Sequence, residues 1–204
     1  MRYENLKILA APILRAIKHR MPETYGIAVI DEKRAVGVVL DSVGGPDRFC
    51  YNIAVGLGFP LHTSAPGKAF IAALPEKRRS ALVGRLAFRR FTPHTITTRG
   101  AFEAEVSRIR SVGYATDFSE EIEGCHCGAV AVLDPRKTPV AALWVTGMAK
   151  RLPERRLLAC IRNLQEAARH IEDGLIGMAA PAGSGAVRSP CVVAALAALA
   201  ARPC

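Results

Sequence analysis

Residues 127–147 read CGAVAVLDPRKTPVAALWVTG. Two apolar runs rich in Val, Ala and Leu are separated by Asp, Pro, Arg and Lys, which are residues typical of a turn. Short apolar runs bounded by turn residues are typical of strands, and a short connection between two of them predicts an antiparallel pair. This stretch therefore favours an antiparallel sheet over parallel strands joined by crossover helices.

The rest of the chain extends this pattern. YGIAVI and AVGVVL, separated by DEKR at 31–34, predict a second hairpin, and FCYNIAV at 49–55 predicts another short strand. Helical spacing of apolar residues marks 4–19 and 153–177. Two strand groups with helices before, between and after them predict an α+β domain with a mainly antiparallel sheet flanked by helices.

Composition limits the classes of function. The 204 residues carry a formal net charge of +10, which favours acidic partners, but no basic run exceeds the three residues 77–79. Six irregularly spaced cysteines do not indicate a disulfide framework, and the N-terminus lacks a signal-peptide layout. The apolar run at 191–201 is too short to span a bilayer. We expect a cytoplasmic protein with reduced thiols and no membrane partner.

A cluster of small residues, HTSAPGK at 62–68, precedes the helical run AFIAAL. One interpretation is a plain helix cap, with Ser64 accepting from the first amides and Pro66 in the first turn. The other is an anion site, because a helix start built from small residues exposes N–H groups at the positive end of the dipole. Lys68 is expected to be a solvated helix residue rather than a carboxylate partner.

Three stretches carry a resemblance to a known family: residues 58–75, 91–97 (FTPHTIT) and 106–152 (VSRIRSVGYATDFSEEIEGCHC onwards). In this order they resemble the effector-binding domain of the IclR family of bacterial transcriptional regulators, over roughly residues 5 to 176. The resemblance implies a GAF-like fold whose curved sheet and helices enclose a small-molecule pocket. It divides the chain into a linker helix (1–20), an effector-binding domain (21–177) and an Ala, Pro and Gly-rich tail (178–204), disordered or loosely helical.

The resemblance also implies partners. Family members sense small, often acidic metabolites and associate as dimers or tetramers; no cofactor and no catalysis are required. They contact operator DNA through an N-terminal winged helix-turn-helix, which should precede the helix at 4–19. Because the sequence begins at Met1 where a linker is expected, we expect the winged helix to be absent from this chain, as in a sensor portion, a truncation or a mis-started gene.

The family pocket maps onto residues of this sequence. The resemblance implies that backbone amides of 64–67 hold an effector carboxylate and that Asp117 accepts a hydrogen bond from the effector; from composition alone Asp117 would be a surface or turn residue. Tyr51 and Phe59 match apolar pocket positions and favour an aromatic acid. The implied effector-binding residues are Ser64, Ala65, Pro66, Gly67, Asp117, Cys125, Cys127, Trp144, Thr146, Tyr51 and Phe59.

Two features of this set have alternative interpretations. The CHC motif at 125–127 invites a metal site, but it lacks the second ligand pair that makes a zinc site convincing. On a strand, Cys125 and Cys127 share one face and His126 points to the other, so we interpret both thiols as pocket walls and expect no metal. Trp144 shares a strand face with Thr146 and is either a core residue or a pocket wall that takes up volume.

The sequence thus predicts an organic-acid sensing domain rather than an enzyme. Two rivals remain at this point. His62, His94, Cys125 and Cys127 could supply a base and a nucleophile, although no local catalytic signature surrounds them. The other rival is a stand-alone GAF-like module that binds a ligand, or that binds nucleic acid through its basic surface.

Overall fold

The computed structural model describes residues 2–45 and 53–179, with Arg2 and Ala179 described by their backbone only. Tyr51 and residues 180–204 of the tail, including the apolar run at 191–201, lie outside the described residues. Of the strand predicted at 49–55, residues 53–55 are described and are not in a strand, so that prediction is wrong for them.

The sheet has six strands in the order β3-β2-β1-β6-β5-β4, and every neighbouring pair is antiparallel. The prediction of a curved, mainly antiparallel sheet in an α+β domain is confirmed. Register shifts interrupt the β1–β2 and β5–β6 pairs, and bulges of this kind bend the strands that contain them. The strands are β1 (Thr24–Asp31), β2 (Val36–Val43), β3 (Gly58–Pro60), β4 (Ala115–Phe118), β5 (Cys125–Leu133) and β6 (Pro139–Met148).

Five helices occur in the described residues: α1 (Arg2–Arg20), α2 (Ala65–Ala73), α3 (Glu76–Val83), α4 (Arg99–Val112) and α5 (Glu154–Ala179). Helix α4 ends at Gly113, whose φ of 79° is the left-handed conformation that glycine adopts most easily. Its start is capped by Thr98, whose side chain accepts from the Ala101 amide. None of the helices in the described ranges combines the length and apolar content needed to cross a membrane.

One side of the sheet, which we call the packed face, is covered by α1 and α5. Alternate strand residues such as Ile27, Val130 and Leu143 point to this side and are buried. They meet the apolar stripes of the two helices, to which Leu9 and Ile161 belong. The strands direct every second residue to this side, and α1 and α5 each present an apolar stripe at helical spacing. The packed face is therefore a continuous apolar core.

The opposite side, which we call the pocket face, is covered by α2 and α4. The intervening strand residues, including Ala129 and Trp144, point to it and meet Phe70 and Phe102. The Trp144 indole lies over the backbone of Gly26, where a Cβ atom would come within 2.2 Å of the ring. Glycine at this position therefore makes room for the only tryptophan in the sequence.

Candidate functional site

The pocket face contains a cavity of about 250 Å³. It lies between the start of α2, the segment that follows β4, and strands β5 and β6. Its wall is mostly apolar, with a few polar groups on one side, which is the usual composition of a small-molecule site. The lining residues are Val39, Ile53, Leu57, Phe59, Ser64, Pro66, Asp117, Glu121, Ile122, Cys125, Cys127, Trp144 and Thr146.

The start of α2 forms one wall of the cavity. Ser64 is its N-cap: the hydroxyl accepts from the Gly67 amide at 3.3 Å and donates to the Pro60 carbonyl at 2.7 Å. The plain cap expected from the sequence is therefore present. Since Pro66 has no N–H, Ala65 has the one first-turn amide for which the described residues provide no acceptor.

Lys68, one turn into α2, is fully buried, so the expectation of a solvated lysine is wrong. Its ammonium group forms an ion pair with Glu120 and lies 3.8 Å from Glu105 Oε1 on α4. An isolated ammonium group would be costly at this depth, so the paired carboxylates are what make the burial tolerable. The lysine ties α2 to the segment that follows β4.

Asp117, at the end of β4, is only 6 % exposed and lines the cavity. Its Oδ1 accepts from the Glu120 amide at 2.7 Å. Burial raises the pKa of Asp117 to about 7, against the opposing effects of that amide and of the Lys68 charge. Asp117 is therefore a buried carboxyl of the cavity wall and not the surface aspartate that composition alone would favour.

Glu121 also lines the cavity and is half-buried. Burial raises its pKa to about 7, and the neighbouring Thr63 hydroxyl, just before the start of α2, partly opposes this shift. The cavity thus has two carboxyl groups on the wall next to the N-terminus of α2. The pKa of neither carboxyl lies as far below neutral pH as the pKa of an exposed carboxyl does.

The loop at 91–97 supports this wall from outside. Thr92 Oγ1 donates to the Ser119 carbonyl at 2.7 Å, and Thr95 Oγ1 donates to the Glu120 carbonyl at 2.6 Å. These bonds fix the main chain between Asp117 and Glu121. The FTPHTIT stretch therefore acts through the segment that it holds, because its residues do not appear among the described cavity-lining residues.

Strands β5 and β6 form the floor. Cys125 and Cys127 face the cavity together, as predicted from strand alternation, and Cys125 Sγ lies 3.1 Å from Thr146 Oγ1. The Thr146 hydroxyl donates to the His126 carbonyl at 3.1 Å. His126 points away, and its Nδ1–H donates to the Leu152 carbonyl at 2.9 Å. The CHC motif therefore does not bring its three side chains to one point.

Most of the sequence-predicted site residues meet at this cavity. Ala65 and Gly67 lie buried in the start of α2 and are not among the lining residues, and Tyr51 is outside the described part of the chain. Sequence reasoning missed Glu121, which reads like one more charged residue in an acidic stretch. It also missed four apolar lining residues, for which no motif gave a signal: Val39, Ile53, Leu57 and Ile122.

The residues proposed for a Cys/His enzyme do not form a catalytic pair. His62 donates from Nε2 to the Arg89 carbonyl at 3.0 Å and contacts the Phe88 ring, and burial lowers its pKa. Within the described ranges neither His62 nor His94 lines the cavity beside the thiols. Burial raises the pKa of the Cys127 thiol well above its ordinary value, which disfavours the nucleophilic thiolate.

Comparison with known proteins places residues 2–173 in the family described as bacterial transcriptional regulator IclR C-terminal. The chain is 28% identical over 153 residues to the transcriptional repressor IclR of Escherichia coli K12, an alignment that covers 75% of this chain and 56% of that protein. The chain therefore spans little more than half the length of this curated relative.

Solved structures show the same fold. The IclR structure from Thermotoga maritima superposes with a TM-score of 0.79 at 29% identity, over 84% of this chain and 68% of that chain. An IclR homologue from Microbacterium hydrocarbonoxydans, solved in complex with 4-hydroxybenzoate, superposes with a TM-score of 0.74 at 20% identity, over 86% of this chain and 70% of that chain. The second likeness concerns the fold alone.

Proposed function

The chain belongs to the IclR family of bacterial transcriptional regulators, and we propose that its cavity is the effector site of a small-organic-acid sensor. The observation that carries this proposal is the cavity itself, enclosed by the start of α2, the segment after β4 and strands β5 and β6. Its wall combines a large apolar part with a few polar groups on one side, which suits a small molecule with one charged end.

The carboxylate of the effector faces the start of α2. There it meets the positive end of the helix dipole beside Ser64 and Pro66, which favours an anion. Thr146, on the floor, can donate to the effector only in exchange for its bond to the His126 carbonyl. Since Ser64 already caps Gly67 and donates to the Pro60 carbonyl, the helix start supplies fewer free donors than the sequence suggested, and the helix dipole carries more of the binding.

The apolar part of the effector lies against Phe59 and Trp144, two aromatic residues that line the cavity. Flat aromatic walls favour an aromatic acid over a short aliphatic one, because ring faces add stacking to the burial of apolar surface. The acid that the Microbacterium homologue holds, 4-hydroxybenzoate, is therefore a suitable first probe.

Effector binding is proposed to act through association of subunits. The cavity joins α2 to the segment after β4 and to the sheet, so occupancy favours one arrangement of these elements over another. In a dimer or tetramer this preference is transmitted to winged helices that contact operator DNA in the full-length regulator. We propose a cytoplasmic regulator and not an enzyme, because sensing requires differential binding of the effector and no covalent step.

A thermal-shift screen tests the proposal. Glyoxylate, pyruvate and 4-hydroxybenzoate are added to the purified chain, and a ligand that binds only the folded state raises Tm with concentration. Asp117→Ala should abolish most of that rise. Glu123→Ala, an exposed change six residues away in the same acidic stretch, should preserve it.

Two outcomes would count against the proposal. An equal rise in the wild type and in Asp117→Ala would remove Asp117 from the site. A cavity that responds to none of a wide set of aliphatic and aromatic acids would remove the sensing function itself.

A further inference from the structure

The polar wall of the cavity has an excess of negative groups. Asp117 and Glu121 both line the cavity, and no basic side chain is found among the lining residues that the structure describes. Glu120, between them in the chain, is buried behind the wall. A purely anionic effector would have to approach two carboxyl groups with no cationic side chain opposite them, which is unfavourable in a low-dielectric site.

The nearby basic side chains are already engaged. Lys68 pairs with Glu120 and lies 3.8 Å from Glu105. Arg108 forms two bonds with Glu105, of 2.7 and 2.8 Å. Two basic groups thus face four carboxyls around this wall, and one oxygen of Glu120 is buried with no hydrogen-bond partner among the described residues. The described residues around this wall therefore include fewer basic groups than carboxyl groups.

One residue of the cavity wall carries a buried donor. The indole N–H of Trp144 is buried, and the described part of the chain offers it no acceptor. The Ala65 amide is the first-turn amide left open at the start of α2. Buried polar groups are normally paired, and these two open donors belong to residues at or next to the cavity wall.

From this charge pattern we infer that the effector is an α-amino acid with an apolar or aromatic side chain, its ammonium group bound by Asp117 and Glu121. This inference rests on the proposed function, because it assigns a ligand class to the same cavity. The carboxylate of the amino acid faces the α2 start and the remaining donors. The side chain lies against Phe59, Ile122 and Trp144.

The geometry of an α-amino acid suits this wall. Its two charges are carried by groups on one carbon, and the cavity places its anion-attracting and cation-attracting groups close together: Ser64 and Pro66, at the start of α2, line the same cavity as Asp117 and Glu121. The pKa values of both cavity carboxyls are raised because burial outweighs the stabilising groups near them, including the Lys68 charge near Asp117. A bound ammonium group supplies a counter-ion.

Three matched probes separate this inference from the broader proposal. L-Phenylalanine carries both charges, 3-phenylpropionate lacks the ammonium group, and phenethylamine lacks the carboxylate. Isothermal titration at about pH 7.5, which is close to neutral, should give the tightest Kd for phenylalanine. Losing the ammonium group should weaken binding by about tenfold or more. L-Leucine and 4-methylpentanoate provide an aliphatic pair with the same contrast.

A charge-neutral variant sharpens the test. Glu121→Gln keeps the shape and the hydrogen-bonding oxygen but removes one charge, so it should weaken phenylalanine by about tenfold and leave 3-phenylpropionate unchanged or tighter. Glu123→Gln, exposed in the same stretch, is the matched control and should change neither.

The results separate the two levels of the proposal. Binding of 3-phenylpropionate as tight as that of phenylalanine would overturn the amino-acid inference and leave the acid sensor standing. Failure of every amino acid and every acid to bind would overturn both.

Discussion

The two faces of the sheet are built from alternate residues of the same strands, yet they differ in kind. On β6, Leu143 and Val145 enter the packed face, where the apolar stripes of α1 and α5 meet them. Trp144 and Thr146 enter the pocket face, where a cavity of about 250 Å³ and several buried ionisable groups adjoin a second apolar cluster. The difference in function therefore comes from what is packed against each face and not from the strands.

This contrast has an energetic consequence. Tight apolar packing stabilises the packed face, since native interiors have few voids. The pocket face gives up part of that stability by retaining an empty volume and charged groups that require partners. Sites that bind ligands are commonly less stable than the fold could be. Variants on the two faces should therefore lose stability to different degrees.

Removing the buried ammonium group should have the largest effect. Lys68→Met keeps the length of the side chain but leaves Glu120 buried without its partner, which should lower the free energy of unfolding by about 3–5 kcal/mol. Urea unfolding followed by far-UV circular dichroism measures the change. The double variant Lys68→Met/Glu120→Gln should recover a large part of the loss. A single variant as stable as the wild type would show that the ion pair does not hold the pocket face together.

Leu143 tests the packed face. Leu143→Ala removes a fully buried side chain from a close-packed layer and should lower the free energy of unfolding by about 2–5 kcal/mol. Cys127→Ala, one strand away on the pocket face, borders a volume that is already open and should cost clearly less. Denaturant titrations of both variants make the comparison. Equal losses would contradict the claim that packing differs between the faces.

The pocket carboxyls should make stability depend on pH in an unusual direction. The folded pKa of Asp117, about 7, lies above its ordinary value of 3.8, so the folded state holds the proton more tightly than the unfolded state. Its contribution is complete below about pH 4 and is lost as pH rises toward about 7, so stability falls over this window. Asp117→Asn should reduce the loss between pH 5 and pH 8 by about 1–3 kcal/mol.

Glu121→Gln should act in the same direction, because burial raises the pKa of Glu121 to about 7 as well. Urea unfolding at several pH values measures both variants, with the exposed Glu123→Gln as a control that should follow the wild type. Parallel pH curves for the wild type and Asp117→Asn would mean that this carboxyl ionises equally easily in the folded and unfolded chains.

The sequence predicted the two faces better than it predicted the charges. Strand alternation correctly put Cys125 and Cys127 on one side of their strand and Trp144 and Thr146 on one side of theirs, because a period of two is a local property. Lys68 was misjudged because its partner Glu120 is 52 residues away, so nothing near it in the chain distinguishes it from a solvated lysine. The extent of the cavity likewise depends on how segments distant in sequence pack together.

The smallest expected change comes from filling the cavity. Cys127→Leu directs a larger apolar side chain into existing space, so the free energy of unfolding should stay within about 1 kcal/mol of the wild type, while any effector-induced rise in Tm disappears. Ala141→Leu adds a larger side chain at a fully buried site on the packed face, where no comparable space exists, and should cost about 1–3 kcal/mol. The two changes are matched, because both enlarge small side chains on neighbouring strands. If the pocket-face variant loses as much stability as the packed-face variant, the cavity is closed in solution.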